Sequence, residues 1–213
     1  VPRPRRFGKT LNMSMLQAFA EHIPGQPLAG RQALFEDTWI WNADDGAWRE
    51  HFAHYPLVAL SFKDVKAPTW EQCWQQARAL IQEEVRRLWE AFDLGTVFAD
   101  DSQIPLRYAQ IRAEQPDDTP IASALRQVSS WLHEATGKRV VILIDEYDAP
   151  LHAAWQHGYL DEALPFFRSF LSGGYKDNRA LFKGVLTGIL RVAKEGIFSG
   201  LNNLETVSII STK

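Results

Sequence analysis

The sequence has a single cysteine, Cys73, among 213 residues. No internal disulfide can staple the chain, and such cysteine usage suits a reducing compartment. It also lacks any apolar run of the ~18 residues that signal a membrane span. The N-terminus is arginine-rich and has no apolar core of the kind a secretory signal needs. We therefore expect a cytoplasmic protein with no membrane partner. Basic excess is missing too: 23 Lys and Arg stand against 26 Asp and Glu, a net charge of −3. That excludes wholesale electrostatic binding of nucleic acid and leaves only a local patch at Arg3, Arg5 and Arg6. No internal repeat or low-complexity tract is visible, and the six histidines have no metal-ligand spacing. The eight tryptophans are scattered, which predicts use in amphipathic packing rather than a stacking stripe. Cys73, on a predicted helix, reads as core rather than nucleophile.

What is present is an alternation of apolar patterns. Residues 9–21 carry Leu11, Met13, Met15, Leu16 and Phe19 at helical spacing, ended by Pro24 and Gly25. "YPLVALSF" (55–62) is a short strand-forming run, and 69–92 is a long amphipathic helix whose charged face is "QEEVRR". Residues 93–120 are irregular, with paired aspartates, and read as a surface insertion. A helix follows over 121–136, closed by Gly137. "VVILID" is a continuous apolar run ending in acids, as in a strand buried on both faces of a parallel sheet. Residues 160–175 are helical, 180–190 form another strand, and "LETVSII" reads as a last one. Strands alternating with helices predict an α/β fold with a mostly parallel sheet and right-handed crossovers, a single domain over 1–213.

Two stretches carry chemistry. "VPRPRRFGKT" ends in Gly8, Lys9 and Thr10, the close of the phosphate-loop pattern G-x-x-x-x-G-K-[ST], but Arg3 stands where the first glycine belongs. Gly8 lets backbone approach a phosphate, Lys9 supplies a point charge, and the Thr10 hydroxyl can ligate Mg²⁺. The buried strand that normally precedes such a loop is absent, so the fold is expected with its first strand truncated. By itself the motif is equally consistent with a capped surface helix. The second stretch is the apolar strand ending in Asp145-Glu146. There Asp145 is placed to hold Mg²⁺ and Glu146 to orient an attacking water; a strand ending in solvated acids is the plain alternative. Open α/β sheets bind ligands at the C-terminal ends of strands, so both stretches would converge there. Thr187 follows an apolar strand, and Arg191 lies just beyond. Thr187 reads as a polar group near a γ-phosphate or as ordinary strand composition. Arg191 reads as an arginine finger or as a structural ion pair with Asp148 or Glu195.

"RPRRFGKT", "YPLVALSF", "VVILIDEYDAPL" and "LTGILRVAKEGIFSGLNNL" together resemble the AAA-ATPase-like domain family of bacteria and archaea, across nearly the whole chain. The arginine-led loop is usual in that family. The resemblance implies a P-loop NTPase core of the additional-strand type, a three-layer α/β/α sandwich that uses ATP and Mg²⁺. It implies a nucleotide-facing stretch of Arg5, Arg6, Phe7, Gly8, Lys9 and Thr10, with Thr10 and Asp145 on the metal. Glu146, Thr187 and Arg191 would be the catalytic set. In the family a PD-(D/E)xK nuclease-like domain often follows, which this sequence does not include. ATP hydrolysis driving such an effector domain or a partner is the expected function. A nucleotide switch without turnover stands second, and a DNA-binding module using the N-terminal arginines third.

Overall fold

A computed structural model describes residues 8–114 and 119–188. Three strands form one all-parallel sheet in the order β1 (Leu57–Ser61), β2 (Val140–Asp145), β3 (Leu181–Leu186). Every residue of the central β2 is buried, as its unbroken apolar run requires. Alternate residues along β1 and β2 face opposite sides. Val58, Leu60, Val140, Ile142 and Ile144 enter the large core, and Leu57, Val141 and Leu143 enter a smaller one with Met13 and Tyr55.

Met13 belongs to α1 (Lys9–Ala20), which therefore covers the smaller-core face. Past α1, the chain runs through α2 (Ala29–Gln32), α3 (Trp39–Asn42) and a 3₁₀ stretch (Ala43–His51) into β1. The large core is built mainly by α4 (Trp70–Ala91), α8 (Ala124–Thr136) and α10 (Leu160–Tyr175). Thr69 caps α4 by accepting the Gln72 N–H. Phe62, at the end of β1, meets Phe167 and Phe170 of α10 edge-on, at centroid distances of 5.7 and 6.1 Å. Cys73 is fully buried in this core, where burial pushes its thiol up.

Several expectations change in detail. The helix expected over 121–136 is broken at Ser123 into α7 (Thr119–Ala122) and α8, and the strand expected over 180–190 ends at Leu186. Residues 93–120 are more regular than their composition suggests. They form α5 (Leu94–Val97), α6 (Ile104–Arg112) and the start of α7, and Leu94, Phe98 and Ile111 reach the large core. The segment is tied to α4 by Gln82 donating to the Ile111 carbonyl (2.8 Å) and by Arg78 donating to that of Ala113. The tryptophans are not uniformly packing residues: Trp131 is buried, while Trp39 and Trp155 are 78% and 68% exposed. α9 (Ala149–His157) follows β2 directly. Arg3, Arg5, Arg6, Phe7, Arg191 and the "LETVSII" run lie outside the described residues.

Gly184 lets β3 pass over the buried ring of Tyr175, with which an added Cβ would collide. Gly184→Ala is expected to lower stability by about 1–3 kcal/mol through overpacking. Urea unfolding measures it, and an unchanged midpoint would mean that the ring yields freely.

Candidate functional site

The C-terminal ends of all three strands lie at the same edge of the sheet, because the strands are parallel. The N-terminus of α1 meets that edge. Gly8 precedes it with φ 68° and ψ 20°, a left-handed conformation open to glycine without strain. α1 then starts at Lys9, and the Asn12 N–H closes its first turn on the Gly8 carbonyl (2.8 Å). Among the described residues no side chain caps the helix, and its first turn has no acid. Its outward amides and dipole therefore favour an anion.

Asp145, 4% exposed, is the last residue of β2 and faces α1. Its Oδ2 accepts the Thr10 hydroxyl at 2.7 Å, joining residues 135 positions apart. Its Oδ1 accepts the buried Thr187 hydroxyl and, at 3.1 Å, the Glu146 N–H. Thr187 is held by its backbone: its N–H donates to the Ile144 carbonyl (2.9 Å), and its carbonyl accepts from Tyr147 (3.2 Å). Glu146 sits half-buried at the turn leaving β2, with φ 50°, a conformation strained for any residue with a Cβ. Burial, reinforced by Asp148, pushes the phenol of the neighbouring Tyr147 well above its ordinary range, and its side chain packs into the large core.

The structure thus brings together Gly8, Lys9, Thr10, Asp145, Glu146 and Thr187 from two stretches and a third strand end. Sequence reasoning missed Ser61. It ends β1, pairs in register with Asp145, and by strand alternation shares its face. The only signal was a polar residue closing the apolar run "YPLVALSF".

The converging donors are hydroxyl and carboxylate oxygens. Among the described residues, no group of three or more His, Cys, Asp or Glu is placed to hold a metal. A sparse all-oxygen set fits a hard cation such as Mg²⁺, which keeps several waters and takes further ligands from substrate phosphates. Among the described residues, no helix is long and apolar enough to cross a membrane.

The chain is 27% identical over 210 residues to an uncharacterized protein in the vnfD 5' region of Azotobacter chroococcum mcd 1. That alignment takes in 98% of this chain and 34% of the relative, so the chain spans about a third of the relative's length. No solved structure matches. Residues 1–198 match the family described as Predicted AAA-ATPase, and the chain belongs to that family.

Proposed function

We propose that this chain is a P-loop NTPase domain of the additional-strand type, a three-layer α/β/α sandwich that binds ATP with Mg²⁺ and hydrolyses it. The observation that carries the reading is the 2.7 Å hydrogen bond from Thr10 to Asp145. It couples the residue after the phosphate-loop lysine to the acid ending the central strand, the two side chains that would share a cation. Mg²⁺, when bound, neutralises phosphate charge. Lys9 and the amides of α1 bind the β- and γ-phosphates, and Thr10 and Asp145 hold the metal. Glu146 orients and takes the proton of the attacking water, and Thr187 fixes the Asp145 carboxylate. Arg5, Arg6 and Phe7 would flank the nucleotide, and Arg191 would approach the γ-phosphate. Binding and release of ATP would then move a C-terminal effector domain, nuclease-like by the family resemblance, or a partner.

Glu146→Gln tests the chemistry. It keeps size and hydrogen bonding but cannot take a proton, so ATP binding should persist while phosphate release falls at least about 100-fold. Release at the parental rate would remove Glu146 from the catalytic role. A parental protein that binds ATP without releasing phosphate would instead be a nucleotide switch.

A further inference from the structure

Ser61 carries a feature that the proposed reading leaves unused. Its Oγ is buried and, among the described residues, has no hydrogen-bond partner. A buried hydroxyl without a partner is unfavourable and rare, and where one persists its partner is commonly a bound water or ion. Its position narrows the choice. Ser61 pairs in register with Asp145 at the strand ends. Its alternate neighbours Leu57 and Ala59 pack on the smaller core with Met13 of α1, so Ser61 lies on the face from which Thr10 reaches Asp145. A partnerless hydroxyl therefore stands one strand spacing from the carboxylate, on the side where the cation would sit.

We infer that Ser61 is a positioning residue of the divalent-cation site, its hydroxyl holding a water of the cation beside Asp145. This rests on the Mg²⁺–nucleotide reading proposed above. Mg²⁺ gives up its waters reluctantly, so most of its contacts with protein run through them, and a side chain gripping such a water fixes the ion without ligating it. The hydroxyl then serves function at the expense of stability, which gives the role a signature that a purely structural serine would not have.

The test compares the parental protein with Ser61→Ala, Ser61→Thr and Lys9→Ala. The probe is a non-hydrolysable ATP analogue, titrated calorimetrically in EDTA and at graded Mg²⁺, alongside urea unfolding without nucleotide. Alanine already occupies position 59 of the same strand face, so Ser61→Ala should fold. We expect it to need about tenfold more Mg²⁺ for the same tightening of binding. Its affinity in EDTA should be unchanged, and its unfolding midpoint equal or higher. Ser61→Thr, which keeps the hydroxyl, should retain the parental Mg²⁺ dependence. If Ser61→Ala shows the parental Mg²⁺ dependence while Lys9→Ala loses the analogue, the nucleotide site stands and the role of Ser61 is overturned. If the parental protein fails to bind the analogue with or without Mg²⁺, the nucleotide reading falls and takes this inference with it.

Discussion

Lys9→Ala should abolish measurable ATP binding, an affinity loss of at least about 100-fold, or roughly 2.7 kcal/mol. The lysine is the first residue of α1, directly after the left-handed Gly8, so under the proposed reading its ammonium and the helix amides would serve the same anion. The protein should remain folded. A cation in the first turn opposes the helix dipole, and alanine is the better helix former, so the unfolding free energy should change by no more than about 0.5 kcal/mol. Lys9→Arg should not restore binding fully, because a planar fork does not reproduce a compact point charge on a flexible stem. Calorimetry with ATP and Mg²⁺, paired with urea unfolding, measures both effects. Unchanged affinity in a folded Lys9→Ala protein would sink the phosphate assignment.

Much of this site was legible because its parts are local. Gly8-Lys9-Thr10 before a helical pattern, and five apolar residues ending in Asp145-Glu146, each state a backbone geometry and a chemistry within about ten residues. Parallel strands then bring their ends to one edge, which is why Thr187 could be placed without knowledge of its partner. Ser61 escaped notice because a serine closing a strand is ordinary until its register partner is known to be Asp145.

The charged run of α4 misled for a related reason. "QEEVRR" reads as one solvated face, yet the helix turns its charges two ways. Arg86 pairs with Glu83 and Glu90 on the exposed side, at 2.5 and 2.9 Å. Glu84, one residue from Glu83, is only 8% exposed and lies with Arg87 against β1. Residues 57, 59 and 61 of β1 turn their backbone groups away from β2, and only the tertiary fold reveals what meets them. At Tyr55 the chain leaving α1 forms a parallel bridge through Glu21. At Leu57 the carbonyl accepts from Arg87 (3.1 Å), and at Ala59 the N–H donates to Glu84 (2.7 Å). Side chains thus stand where a further strand would hydrogen-bond, and they blunt an edge that would otherwise invite pairing.

That arrangement makes Arg87→Ala the most destabilising change we expect, at about 3 kcal/mol at neutral pH. Arg87 donates to both Glu84 oxygens (2.7 and 2.9 Å) and to Glu21 (2.8 Å). Without it, two nearly buried carboxylates face each other and the Leu57 carbonyl loses its donor. The figure sits at the low end for a broken buried pair because the Arg87 side chain keeps 31% of its surface exposed. Even with Arg87 in place, burial pushes the Glu84 carboxyl above the ordinary range, against the pull of the guanidinium and the Ala59 N–H. Removing Arg87 deletes that pull and leaves the repulsion from Glu21, so the carboxyl rises further. The sign follows. A carboxyl whose folded pKa exceeds its unfolded value favours folding when protonated, so its contribution is present at low pH and lost as pH rises through the folded value. Arg87→Ala should therefore lose less stability relative to the parental protein at pH 5 than at pH 7. A double Glu84→Ala/Arg87→Ala variant should lose less than the sum of the singles, since it leaves fewer unpaired charges. Urea unfolding of the four proteins at both pH values reads all of this. A loss below about 1 kcal/mol at pH 7, or a loss that deepens on acidification, would mean that the network is solvated rather than the cap of the β1 edge.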